Sequence, residues 1–196
     1  KKKEFDKSKY DICLLSETHA YLDSDFGDHE NLHKAMGIVA EYTHRLCDRK
    51  NLKLVFTGRH KDKSFSGNLE KEFYSHFLKE YKFKIDQSGE DDHRLSKNFM
   101  QSKLIIGNVS TALREAFYFD KKVLACNLYD LSRLEFPSKG ISVIKNFTYE
   151  EFEKRVLNIL DMELNDYLKQ LDFSQRYTMF NETNIKKEIY NEVKNI

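Results

Sequence analysis

The chain has 196 residues, 40% hydrophobic and 13% aromatic, enough for one substantial core or for one half of a larger two-domain protein. Charged residues make up 33% in near balance, with a formal net charge of +1, so composition gives no reason to expect nucleic acid as a partner. No apolar run is long enough to span a membrane and no stretch reads as a signal peptide.

Taken in order, Tyr10 to Ser16 predicts a first strand that opens into the polar run Ser16-Glu17-Thr18-His19. A strand end carrying Ser, Glu and His suits the wall of a substrate cleft, and Glu17 and His19 are the candidate catalytic groups. Asp23, Asp25 and Asp28 follow, but they lack the ligand ladder and closing carboxylate of a calcium loop and read as surface. Residues 30–49 predict a helix, with Leu32, Ala35, Met36, Val39, Thr43 and Leu46 at helical spacing. Residues 52–57 predict the second strand, which ends in Thr57-Gly58-Arg59-His60-Lys61. Gly58 permits a tight turn, and Arg59 offers a forked, permanently charged donor for phosphate or carboxylate.

Residues 67–81 predict a helix with Leu69, Phe73, Phe77 and Leu78 as its apolar stripe. Tyr81-Lys-Phe-Lys-Ile85 alternates like a strand near a sheet edge, where lysines discourage mispairing. Asp91 and Asp92 read as solvated loop or helix cap, and residues 93–101 as a short helix with Leu95, Phe99 and Met100 in the core.

The stretch 102–128 predicts strand, turn, helix, strand. Leu104, Ile105 and Ile106 suit a strand covered on both faces, and Gly107 and Asn108 allow a sharp turn. Ser110 or Thr111 caps the next helix, and Glu115 lies one turn beyond Thr111. Residues 122–126 return as a strand, and Asn127 sits at its end. Residues 141–144 predict a last strand, and Thr148 with Glu151 predicts a capping box before a helix that buries Phe152, Val156, Ile159 and Leu160. Residues 163–196 read as helix in two or three pieces, broken near Asp172 and Asn184. Cys13 and Cys126 fall in strands and Cys47 in a helix, which predicts buried thiols rather than a disulfide framework or a zinc site.

Strands alternating with helices predict an α/β fold: a Rossmann-like, doubly wound parallel sheet of about six strands in the order 3-2-1-4-5-6, with a helical C-terminal tail. Residues 1–161 form the expected sheet domain and 162–196 the tail. The chain opens on Lys1-Lys2-Lys3-Glu4 without a Met, so it reads as cut from something longer. There is no Gly-rich dinucleotide fingerprint, no phosphate-loop Gly-Lys-Ser/Thr and no Gly-x-Ser-x-Gly elbow, and the histidines are scattered without a metal-ligand set. What remains is a cleft of strand ends: residues 16–19, 58–61 and 107–115, and Asn127. Ser110, Thr111 and the amides of a helix start suit a phosphate, with Arg59 neutralising another oxygen and Glu115 accepting from ribose or sugar hydroxyls.

The pattern Ser102-x-x-x-Ile-x-Gly-x-x-Ser-Thr-x-x-x-Glu-Ala, followed by Lys121-Lys122-Val123-Leu124, resembles the C-terminal half of two-domain, B-type bacterial glycosyltransferases of surface carbohydrate and capsule. The resemblance covers residues 10–160. It implies a nucleotide-activated sugar as donor, bound by Arg59, Asn108, Ser110, Thr111 and Glu115, and no metal and no tightly bound cofactor. It also implies a carbohydrate or lipid-linked acceptor, an N-terminal partner domain that commonly supplies the general base, and a cytoplasmic place at the inner face of the membrane with peripheral membrane association. Two other readings stand beside it. A sugar-nucleotide epimerase half needs Glu17, His19, His60 and Glu115 to reach one cleft, and a non-catalytic binding or assembly domain needs strand ends sealed by side chains. A phosphatase needs an Asp cluster at a strand end, which the sequence does not supply.

Overall fold

A computed structural model describes residues 8–18, 29–87, 94–108 and 110–171. Six parallel strands form one sheet in the order β3-β2-β1-β4-β5-β6, as the alternation of elements predicts. They are β1 (Tyr10–Leu15), β2 (Leu54–Thr57), β3 (Ile85–Asp86), β4 (Ser102–Gly107), β5 (Lys122–Asn127) and β6 (Val143–Lys145). The helices between and after them are α1 (His29–Lys50), α2 (Phe65–Phe77), α3 (Arg94–Met100), α4 (Thr111–Tyr118), α5 (Tyr149–Asp161) and α6 (Leu164–Lys169). α1 packs beside α2 and α5, while α3 packs beside α4, so helices cover both faces. This is an α/β, Rossmann-like doubly wound domain.

Burial on both faces explains the strand sequences. Ile12 to Leu15, Leu104 to Ile106 and Val123 to Cys126 are continuous buried runs in the three central strands. Both edge strands are short, which limits the open backbone a neighbour could pair with. The alternating run 81–85 is not a strand along its length. β2 has only four residues, and its register pairs Phe56 with Ile85 and Thr57 with Asp86, so residues before Ile85 have no ladder to join. Tyr81 and Phe83 instead place their rings against His44. β2 and β6 likewise start two residues later than the sequence predicts, at Leu54 and Val143.

Caps fix several helix ends. The Ser64 side chain accepts from the Gly67 amide and starts α2, and Thr148 and Glu151 form the expected capping box on α5. α1 ends at a left-handed Asn51, φ 53°, with the Leu52 amide bonded back to the Cys47 carbonyl at 2.9 Å. The buried face of α1 carries the predicted Leu32, Ala35, Met36, Val39, Thr43 and Leu46. The buried face of α2 differs from expectation: it is Gly67, Glu70 and Tyr74, continuing to Leu78, while Leu69, Phe73 and Phe77 are half-buried. All three cysteines are buried and none forms a disulfide among the described residues, and burial pushes the Cys47 thiol up to about 12.

The start of the tail completes the sheet. β6 pairs with β5 only over Ala125–Asn127, which leaves the outer edge of β5 bare at Val123. Tyr167 of α6 fills that place. Its hydroxyl donates to the Val123 carbonyl at 2.7 Å and accepts from the Val123 amide at 3.0 Å. Leu171 bridges antiparallel to Gly140 beside it. The predicted tail segments after Leu171 lie outside the described residues.

Tyr167→Phe leaves two buried backbone groups without a partner, so a urea titration is expected to show a loss of about 1–3 kcal/mol. A second test concerns His44. It is buried, contacts the Ala40 carbonyl through Nδ1 at 2.9 Å, and burial lowers its pKa from 6.5. Its native pKa is depressed, so the unfolded chain binds the extra proton first and stability falls as pH drops below 6.5. Urea midpoints measured across that window are expected to fall less steeply for His44→Phe than for wild type.

Candidate functional site

The strand order reverses between β1 and β4, which lie side by side while their onward connections run to opposite edges. Open parallel sheets leave a crevice outside the carboxyl ends of such a pair. The residues there are Ser16, Glu17 and Thr18 after β1, Gly58 to His60 after β2, Gln87 after β3, and Gly107 and Asn108 at β4. Ser110 and Thr111 then open α4.

Two buried carboxylates hold this end of the sheet together. Glu17 is 3% exposed, and its Oε1 accepts the Asn108 amide at 2.6 Å, tying β1 to the turn after β4. Glu70 reaches in from α2 and is 1% exposed. Its Oε1 accepts the Arg59 amide at 2.8 Å and the Thr18 hydroxyl at 3.4 Å, together with the Ser16 hydroxyl. Its Oε2 accepts the Gln87 side-chain amide at 2.6 Å and the His60 amide at 3.3 Å. Charge-assisted bonds of this kind are stronger than neutral ones. The ends of β1, β2 and β3 therefore meet on one carboxylate. Tyr74, one turn further along α2, is fully buried, and burial pushes its phenol well above the usual range.

Close packing around the carboxylates also accounts for two glycines. A Cβ on Gly107 would lie 2.6 Å from Glu17 Oε1. A Cβ on Gly58 would lie 2.6 Å from Ile85 Cγ2, 2.7 Å from Gln87 Cγ and 2.9 Å from Glu70 Oε2. Close approach, rather than a left-handed backbone, requires glycine at both strand ends.

The sequence-predicted residues have distinct placements. Asn108 is buried, and its side-chain amide donates to the Cys126 carbonyl at 2.8 Å, linking β4 to β5. Ser110 is the N-cap of α4, with its hydroxyl accepting the Leu113 amide at 3.0 Å. Thr111 is exposed at the first turn of α4, and Glu115 is half-buried one turn on. Arg59 is exposed, and its backbone amide is held by Glu70. His60 is half-buried, with Nε2 3.2 Å from the Thr18 carbonyl oxygen. Asn127 closes its own turn: its side chain donates to the Leu131 carbonyl at 2.9 Å and accepts the Leu131 amide at 2.8 Å. His19, Asp91 and Asp92 lie outside the described residues.

Sequence reasoning passed over Glu70 and Gln87. The signal for Glu70 was its place on the stripe Gly67, Glu70, Tyr74, Leu78, a helical spacing that puts a charged residue on an otherwise buried face. Two buried polar atoms near the crevice, Gln87 Oε1 and Arg114 Nε, have no hydrogen-bond partner among the described residues. Among the described residues no group of three or more His, Cys, Asp or Glu is placed to hold a metal ion, and no helix is long and apolar enough to cross a membrane.

The fold and this crevice define a Rossmann-like domain whose polar strand ends gather at the point where the sheet reverses. No family model, curated protein or solved structure matches the chain.

Gly107→Ala drives a methyl group into Glu17, and overpacking of this sort costs roughly 1–3 kcal/mol. Thermal melts are expected to show Gly107→Ala well below wild type. An unchanged midpoint would mean that Glu17 does not hold the β4 turn.

Proposed function

We propose that this chain is the donor-binding half of a two-domain, B-type glycosyltransferase that takes a nucleotide-activated sugar and works without a metal. The observation that supports this reading most is the junction at the reversal point. β4 ends in a glycine turn, Ser110 caps α4, Thr111 is exposed beside that cap, and Glu115 follows one turn later. A helix start of this kind favours a phosphate through its amides and dipole, and a carboxylate one turn on suits ribose or sugar hydroxyls. Arg59, exposed at the end of β2 on the far side of β1, adds a positive charge for the diphosphate.

In this reading the chain supplies donor binding and stabilises the departing phosphate. Glu17 holds the crevice through the Asn108 amide, and an N-terminal partner half supplies the base that activates the acceptor hydroxyl. The acceptor is a carbohydrate or lipid-linked carbohydrate, met at the inner face of a membrane by peripheral association.

A second reading has its own observation. Glu70 and its donors seal the ends of β1 to β3 from within, as a non-catalytic binding or assembly domain would require.

Calorimetric titration with UDP, CMP, CDP and GDP separates the two. Thr111 is a cleaner probe than Ser110, whose hydroxyl is already committed to the helix cap. At least one nucleotide is expected to bind, with Arg59→Ala and Thr111→Val each weakening it about tenfold, or ~1.4 kcal/mol. Absence of binding for all four nucleotides, or affinities unchanged in both variants, favours the assembly domain.

A further inference from the structure

The arrangement around Glu70 has the form of an anion site with its ligand in place. The amides of Arg59 and His60 are consecutive and both donate to the carboxylate, at 2.8 and 3.3 Å. The Ser16 and Thr18 hydroxyls and the Gln87 amide complete five donors around one group that is 1% exposed. No ion pair to Glu70 occurs among the described residues, so neutral dipoles carry the solvation of the charge. The Gln87 amide orientation follows from its neighbours. Nε2 lies between two acceptors, the Gly67 carbonyl at 2.8 Å and Glu70 Oε2 at 2.6 Å, and a flipped amide would set oxygen against both. Two consecutive backbone amides with flanking hydroxyls at a strand end are the donor set that open α/β sheets turn towards a ligand's phosphate. Here α2 delivers a carboxylate to it.

We propose that the end of β2 is a built anion site whose resident ligand is the Glu70 side chain, and that small monocarboxylates such as acetate or formate occupy it when that side chain is removed. One consequence rests on the nucleotide-binding reading above. A phosphorylated ligand in the crevice has no access to the amides of Arg59 and His60, because the resident carboxylate holds them. Arg59 then acts on such a ligand through its guanidinium alone.

The test is a set of amide NMR spectra and thermal melts on the full chain. In Glu70→Ala, acetate is expected to raise the melting temperature saturably and to return the Arg59 and His60 amide signals towards their wild-type positions. Wild type is expected to show neither response, and chloride at matched ionic strength is expected to do neither in the variant. Equal effects of acetate on wild type and Glu70→Ala would overturn the proposal. Glu70→Gln keeps the size of the side chain but sets an NH2 group against the donors. It is expected to shift both amide signals and lower stability even where the alanine variant does not fold, and unchanged signals with unchanged stability would also overturn the proposal. Addition of UDP to wild type should leave the Arg59 and His60 amides at their wild-type positions relative to signals elsewhere in the crevice. A UDP titration with no response anywhere counts against the nucleotide reading and leaves the acetate result standing. A UDP response centred on those two amides counts against the resident carboxylate.

Discussion

Burying a carboxylate at the end of a parallel sheet is costly unless donors surround it, and this domain meets that cost twice in one place. Glu70 collects the ends of β1, β2 and β3, and Glu17 collects the turn after β4. An unmatched carboxylate in such a position is destabilising, so the surrounding backbone is constrained to supply N–H groups. The constraint propagates outward. Glu17 stands where a Cβ at Gly107 would, Glu70 crowds Gly58 together with Ile85 and Gln87, and the two carboxylates hold the backbone amides after both strands. The crevice at the reversal point is therefore shaped from beneath by charge as well as by strand geometry.

The opposite end and the edges of the sheet are secured differently. Lys122 donates to the carbonyls of Ile159 and Met162, each at 2.7 Å, and so closes the C-terminus of α5 against the start of β5. Arg155 reaches the carbonyls of Gly140, Ile141 and Val143 along the approach to β6. Tyr167 stands in for ladder partners that the short β6 does not provide. Long polar side chains thus complete backbone pairing wherever the regular sheet stops, as buried backbone groups require.

These two modes bear on function. Residues at the candidate crevice divide into those already committed to the fold and those that remain at its surface. Glu17, Asn108, Ser110 and Asn127 hydrogen-bond to backbone and act as framework. Arg59, Thr111 and Glu115 stand on that framework with exposed or half-exposed side chains. Rigid support beneath a small set of outward groups is the arrangement that orients a ligand with least loss of entropy.

Much of the fold was legible in the sequence because burial on both faces leaves a local mark. Leu104-Ile105-Ile106 and Val123-Leu124-Ala125-Cys126 are apolar without interruption, and helical stripes such as Leu32, Ala35, Met36 and Val39 separate the strands. The alternation of these signals, with right-handed crossovers, gives a parallel α/β sheet, while the placing of β1 between β2 and β4 is seen in the assembled sheet. The capping box at Thr148 was equally local. The short β3 was not, because its extent is set by what β2 offers as a partner and not by its own alternation. The polar strand ends of the candidate crevice were legible as contiguous polar runs after strands. The inner layer was less so: the stripe on α2 marks Glu70 as facing inward, but only tertiary packing brings Glu70 and Gln87 to Ser16, Thr18 and Arg59. By itself, then, the sequence determined the parallel α/β architecture and the polar strand ends, through periodicity and burial. Tertiary structure alone decided which of those polar groups face each other and which stay at the surface, because a charge buried by long-range packing is satisfied only by the donors that the completed fold puts beside it.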